Sequence, residues 1–433
     1  MTVRATPRPS ALPALGRFHP FPLPPLTDEV LSNGLRVVTV RAGAVELAEI
    51  RLFVPLPAYA VDPAAAEVLT AVTARDCARR VTEGVDGSPG RDGSLVSVAW
   101  TGTWLALNAS VPVDAVDWAL GLLARSVTDP VRTARSCQET AGRLAAQAHA
   151  RLAHPLTAAH AALHAHTFPG TVRHPEPAAL RAVSPADVAA LHRTVVRPRG
   201  AFLVVVAPVD TQEAVASAFR DWPDTGPRPV HPPPVRSGTG VRGIPHRGAE
   251  GRAQVMLAAP ALPRTDSSFP ALSVTNCLFG GYFSARLAKN LREHRGLVYK
   301  VESTIDDSLP RASVLLTYAT DSATVADSLG AVGRELRDLI ARPPDASEID
   351  AAREHMIGIT CIGQTSQSGL ASALVGVLGH GLGPEWLTAF PAQLREVTGS
   401  GVAATAERLY HPDRFTGVVL GAPGDWTKHL RTP

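Results

Sequence analysis

Cysteine, aromatic residues, concentrated charge and long apolar runs are all scarce in this sequence, and each scarcity closes off a class of function. Four cysteines occur in 433 residues: Cys77, Cys137, Cys277 and Cys361. None sits in a CxxC pair or beside a histidine at ligand spacing, so neither a zinc knuckle nor a disulfide framework is expected. Free thiols in a reducing compartment fit better. Phe, Trp and Tyr make up 5% of the chain, too few for the stacking platforms of a single-strand nucleic-acid binder. The formal net charge is +3 and no basic run concentrates it, which leaves a phosphate backbone no patch to occupy. No segment is apolar for long enough to span a bilayer. The opening MTVRATPRPSALPALGRFHPFPLPPL is broken by proline too often to form a signal-peptide core. A cytoplasmic protein is expected, with neither nucleic acid nor membrane as partner.

Proline, by contrast, is plentiful, with 38 residues, and it punctuates the chain. Residues 1–26 are expected to form an extended proline-rich arm. The cluster from Pro223 to Val235 marks a linker, taken as 223–240, between an N-terminal domain of 27–222 and a C-terminal domain of 241–433. A chain of this length, 45% apolar and 19% charged, is long enough for two cores.

The two halves repeat. Residues 183–210, VSPADVAALHRTVVRPRGAFLVVVAPVD, and 397–425, VTGSGVAATAERLYHPDRFTGVVLGAPGD, follow one plan. Each has a helix N-cap (Ser184, Thr398), a short amphipathic helix, a turn with proline, then an apolar strand ending in Ala-Pro-x-Asp. The first half opens on VLSNGLRVVTV, with a tight turn at Asn33-Gly34. Strands are predicted at 46–55 and on either side of Gly102 within 94–111. Helices are predicted at 63–82, 113–126, 131–152 and 156–166, and long ones at 322–341 and 347–372. This order implies an α+β fold of two tandem homologous domains, each a mainly antiparallel sheet covered on one face by helices.

The most informative segment is FGGYFSARLAKNLREHRGLVYK, residues 279–300. Ser284 is placed to cap a helix with Leu287 and Leu291 on its apolar edge. Arg292, His294 and Arg295 suit the negative end of the helix dipole, and Gly296 stops it. An alternating strand is predicted from Leu297 to Ile305, so Arg292 and Tyr299 flank a helix-to-strand corner. From periodicity alone, Arg292 is an exposed dipole partner and Tyr299 a core residue beside Leu297 and Val301.

This segment resembles the second-half signature of the insulinase/pitrilysin zinc peptidases, of the mitochondrial-processing-peptidase type: a Gly-Gly turn, Ser-x-Arg-Leu, then Leu-Arg, Gly-Leu and Tyr. The opening LSNGLRVV, the stretch HAHTFPG at 164–170 and the Ala-Pro-Val-Asp block are similar to further landmarks of that family. The resemblance spans about residues 27–428. It implies that Arg292 and Tyr299 are catalytic and substrate-binding, holding the carbonyl oxygen of a peptide. Catalytic members carry His-x-x-Glu-His on a first-half helix and a further Glu roughly 75 residues on. The corresponding helix has Val68, Ala71 and Val72 near the motif positions, and Ala146 or Gln147 near the last. No metal is therefore expected in this chain. The resemblance implies a heterodimer with a zinc-motif-bearing homologous subunit that supplies the zinc, acting on peptides such as leader segments. The alternative is a non-catalytic structural or peptide-binding subunit of a larger assembly.

Other motifs carry less. His160 and His164 share a helix face, with His154 and His166 nearby, but no carboxylate or thiol joins them; they and Glu354-His355 are expected to be structural. Gly238-Thr-Gly-Val-Arg-Gly243 matches GxGxxG yet follows a proline linker instead of a strand. The glycine-rich end of 371–383 lacks the strand and lysine of a phosphate loop, and GxSxG is absent.

Overall fold

In the computed structural model, residues 22–43, 45–84, 92–130, 133–224, 226, 232–247, 251–306 and 311–431 are described; most of the proline-rich arm lies outside them. The β-branched runs of the first half form β1 (Leu26–Val30), β2 (Arg36–Arg41), β3 (Leu47–Pro55), β4 (Leu95–Trp100), β5 (Trp104–Pro112) and β6 (Phe202–Ala207). Those of the second form β7 (Val241–Ile244), β8 (Arg252–Pro260), β9 (Val301–Asp306), β10 (Ser313–Asp321), β11 (Thr416–Leu420) and β12 (Gly424–Asp425). Two six-stranded sheets result, ordered β1-β2-β6-β3-β5-β4 and β12-β7-β11-β8-β10-β9. Position by position they match, down to one parallel pair each, β2 with β6 and β7 with β11, among antiparallel neighbours. The fold is α+β, as the element order implied.

The first-half helices are α1 (Pro63–Glu83), α2 (Val116–Thr128), α3 (Ala134–Ala153), α4 (Pro155–Thr167), α5 (Pro177–Ala182), α6 (Pro185–Val195) and α7 (Gln212–Phe219). The second half has α8 (Phe269–Asn276), α9 (Val325–Ala341), α10 (Ala346–Ile362), α11 (Gln367–Leu378), α12 (Trp386–Glu396), α13 (Gly399–Leu409) and α14 (Thr427–Arg431). The duplicated caps are formed: the Ser184 hydroxyl accepts from the Asp187 N–H and that of Thr398 from the Gly401 N–H. Asn33-Gly34 makes its turn with Gly34 at φ +88°, while the Asn33 amide donates to the carbonyls of Phe219 and Trp222 at 2.8 and 3.1 Å.

Each sheet buries one face under helices of its own half, with Val37, Ile50 and Val205 in one core and Val255, Leu316 and Val419 in the other. The opposite faces are not left to water. Val38, Val204 and Val206 of the first sheet lie under Leu370, Leu374 and Val377 of α11 from the second half. Reciprocally, Met256, Ala258 and Val418 of the second sheet lie under Ala159 and Leu163 of α4 from the first. The expected helix 347–372 is accordingly two helices. It breaks at Gly363–Thr365, and α11 restarts under a Ser366 cap that accepts from the Gly369 N–H at 3.0 Å. The break lets α11 leave its own half, which local periodicity does not reveal.

Candidate functional site

The Gly-Gly segment is built from beneath. α8 runs into a π-helical turn, Cys277–Gly281, of the kind that recurs at functional sites. Asn276, at its start, is buried; its amide donates to the Ser303 carbonyl at 2.9 Å, and its oxygen accepts from the hydroxyls of Ser303 (2.6 Å) and Tyr410 (3.1 Å). This network ties the turn to β9. Gly280 is required there, because a Cβ would meet Leu287 Cδ1 and Ser303 Cβ at 2.9 Å. Burial pushes the Cys277 thiol up to about 12, so it is not a nucleophile near neutral pH.

A second π-helical stretch follows at Ala288–His294, with Leu287 and Leu291 buried. Gly296, at φ +61°, ends it, and the Leu297 N–H reaches back to the Leu291 carbonyl at 2.9 Å. Ser284 is not its cap: no side-chain capping bond starts this helix. What fixes the segment is Arg286, the arginine of Ser-x-Arg-Leu. It donates from Nε and Nη2 to the two Glu348 carboxylate oxygens at 3.0 and 2.8 Å, and from Nη1 to the Arg342 carbonyl. Asn290 adds a tie to Glu335 on α9. Arg286, Asn276 and Tyr410 were not singled out in the sequence, since their partners lie far away in the chain.

The predicted strand from Leu297 is corrected: β9 starts at Val301, and 297–300 form neither helix nor strand. Tyr299 is consequently no core residue. It is 90% exposed at a cavity of about 460 Å³ whose wall includes Pro155, Leu156, Arg252, Lys300 and Thr317. Arg292 is instead folded back, its side chain 22% exposed. Its guanidinium stacks 3.7 Å from the centre of the Phe283 ring, donates to the Phe283 carbonyl at 3.2 Å and pairs with Glu293 at 2.7 Å. Phe283 itself is 75% exposed. Arg292 and Tyr299 thus flank one corner without touching, and Arg292 does not line the Tyr299 cavity.

On the first half, α1 turns a different face outward than expected. Val68 and Val72 are buried in the core, whereas Glu67, Thr70, Ala71 and Ala74 line a cavity of about 900 Å³. The spacing i, i+3, i+4 of His-x-x-Glu-His therefore falls on Glu67, Thr70 and Ala71, one residue earlier. That set does not fit zinc. Its single possible ligand, Glu67, accepts from Arg151 at 2.9 Å. Gln147 of α3 is exposed, and Arg143 and Arg151, one turn to either side of it, line the cavity. Among the described residues no group of three or more His, Cys, Asp or Glu is arranged to hold a metal.

Of the histidines on α4, His164 and His166 are engaged in packing between elements. His164 is buried and held down to about 4 by desolvation first and then by Arg173. His166 Nε2 lies 2.9 Å from Thr416 Oγ1 and 3.2 Å from the Gly240 carbonyl, joining α4 to the second sheet. The GxGxxG match runs into strand β7, so no helix opens on it. The four cysteines are buried and form no disulfide, and among the described residues no helix is long and apolar enough to cross a membrane.

The described residues thus combine an α+β pair of sheets, a face of α1 whose side chains do not fit a metal, and a corner that carries Arg292 and Tyr299. In this chain, residues 182–356 match the family model described as the peptidase M16 inactive domain. Its fold is that of a peptidase M16 inactive domain from Pseudomonas fluorescens (20% identity, TM-score 0.80, covering 93% of this chain and 98% of that one). It is equally that of a protease from Helicobacter pylori (15%, 0.80, 93% and 100%). A conserved protein from Enterococcus faecalis V583 is similar at 16% identity and TM-score 0.71, covering 92% and 98%. No curated protein matches.

Proposed function

We propose that this chain is the non-zinc-binding subunit of a two-chain peptidase, supplying Arg292 and Tyr299 to a peptide held at the zinc site of a homologous partner subunit. The carrying observation is Tyr299, a large side chain left 90% exposed at a cavity mouth. Exposing an aromatic ring makes no contribution to this fold, while its hydroxyl is free to donate to a substrate carbonyl. Arg292 sits on the same corner and keeps donors beyond those used by Phe283 and Glu293. As the carbonyl oxygen gains negative charge, two preset donors stabilise it without reorganising. The unfit ligand set of α1 supports a role that depends on a partner for the metal. Peptides, including leader segments, are the substrate class, and a cytoplasmic site of action accords with the free thiols.

The test is to assemble the chain with a zinc-motif-bearing homologue and assay peptide cleavage, with and without chelator. Tyr299→Phe and Arg292→Ala are each expected to lower turnover by about 10²–10³, roughly 3–4 kcal/mol, while size exclusion still shows the pair. Full turnover by both variants sinks the proposal and leaves a structural or peptide-binding subunit.

A further inference from the structure

The cavity over α1, where the catalytic members of the resembled family carry their metal motif, is about 900 Å³, larger than the one of about 460 Å³ at Tyr299. Small side chains, Thr70, Ala71 and Ala74, form its floor, and Trp100 and Leu144 form apolar walls. The Trp100 indole N–H donates to the Leu56 carbonyl at 2.7 Å, which fixes the ring as part of the wall. The charged lining is one-sided: Arg75, Arg143, Arg151 and Arg173 against Glu67 and Glu139. Both carboxylates are already engaged, Glu67 by Arg151 at 2.9 Å, and Glu139 by Arg75 at 2.9 Å and by Arg135 at 2.8 Å. Arg143 makes no ion pair or hydrogen bond among the described residues and is exposed. His174 on the rim is held down to about 4, by desolvation first and then by Arg173, Arg151 and His160.

We infer that this cavity is a carboxylate-binding site, taking an acidic side chain or the terminal carboxylate of a peptide. Guanidinium groups present paired donors that match a carboxylate, and such charge-assisted bonds are the strong ones. The apolar wall suits the flanking residues of a peptide chain, and its small floor gives the room that bulkier side chains on α1 would fill. The site also adjoins the Tyr299 cavity: Arg151 near the end of α3 lines one, and Pro155 and Leu156 at the start of α4 line the other. A peptide anchored by a carboxylate over α1 is thereby set beside the corner that carries Tyr299. The inference rests on the proposed function only for the ligand being a peptide; the preference for carboxylate stands on the lining alone.

Calorimetric titration of the isolated full-length chain tests it with three short peptides. One contains Glu-Glu and is blocked at both ends, one is its Gln-Gln counterpart, and one is the Gln-Gln peptide with a free C-terminal carboxylate. The Glu-Glu peptide, the free-carboxylate peptide, or both, are expected to bind about tenfold or more tightly than the blocked Gln-Gln peptide. Which of them does so assigns the source of the carboxylate. Binding should weaken with added salt. Arg143→Glu is expected to remove the preference, and Arg143→Gln to reduce it. Both sit at an exposed, unpaired position, and circular dichroism confirms that they fold. Equal binding of all three peptides, no binding of any, or an unchanged preference in the Arg143 variants overturns the inference. Cleavage by the assembled pair that still depends on Tyr299 would then leave the proposed function standing, so the two failures are separable.

Discussion

The link from β3 to β4 and the link from β8 to β9 occupy equivalent places in two sheets of one strand order, yet they do opposite things. The first is a single helix, α1, 21 residues long, started by an Asp62 cap and Pro63 and free of glycine. Its apolar residues return at helical spacing, so it packs along its sheet, and Glu67, Thr70, Ala71, Ala74 and Arg75 line the cavity on its other side. The second is broken at Tyr282–Ala285, between two π-helical turns of which the first ends in Gly280-Gly281. Each break shifts the side-chain phase, which leaves Phe283 and Tyr299 exposed and brings Arg292 onto Phe283. The difference teaches that duplication preserved the sheet and let the overlying helix diverge. One copy stays regular and offers a cavity; the other is irregular and leaves Phe283 and Tyr299 exposed.

The sharpest way to break this comparison is to install the metal motif in each of two registers. Val68→His with Ala71→Glu and Val72→His puts polar groups into the core and is expected to cost about 4 kcal/mol or more. Glu67→His with Thr70→Glu and Ala71→His changes residues that line the cavity and should cost less, about 2 kcal/mol, from the lost pairing with Arg151 and the carboxyl set at the buried Thr70 position. Urea denaturation of the two triple variants decides; equal stability would mean that the face of α1 is assigned wrongly.

Next in size is the clamp beneath the broken link. Arg286→Ala leaves Glu348 half-covered without its bidentate partner and is expected to destabilise by about 2 kcal/mol. Under the proposed function Arg286 is a positioning residue, so a pair assembled with a zinc-motif-bearing homologue should also lose turnover while Arg286→Lys restores part of it. The pH dependence sharpens the point. Arg286, above all other groups, holds the Glu348 carboxyl below its ordinary value. This contribution is fully present above the unfolded carboxylate range and is lost as pH falls through the lower folded value. The acid limb of the stability curve should therefore flatten in Arg286→Ala, and an unchanged limb would remove the clamp from the account.

The smallest effect concerns where the halves remain alike. Ser184→Ala and Thr398→Ala each delete an N-cap and should cost about 1 kcal/mol apiece, with little difference between them. A large disparity in melting temperature would show that the two copies of this motif have also diverged energetically.

Much of the molecule was legible because its signals are local. Asp62-Pro63, Ser184-Pro185 and Thr398 mark helix starts, Gly34 and Gly102 mark turns, and β-branched runs mark strands. The absence of histidine near α1 needs no structure. The register on α1 was not legible, since Val68, Ala71 and Val72 share a helix face as plausibly as Glu67, Thr70 and Ala71 do. Only the sheet beneath, with Leu52 and Leu107 in the same core as Val68 and Val72, chooses between them. The strand predicted at Leu297 failed for a similar reason. Alternation at Leu297, Tyr299 and Val301 is real, but β10 pairs with β9 only from Val301 onward.

By itself, then, the sequence determined the two-half plan, the caps and turns, and the want of a metal motif, because each is written within a few neighbouring residues. Tertiary structure alone decided that α4 and α11 cross between halves, that Arg286 reaches Glu348, that four arginines meet over α1 and that Tyr299 stands in solvent. These outcomes depend on which surfaces meet. Periodicity fixes the faces of an element, but what covers a face is settled only when distant segments pack against it.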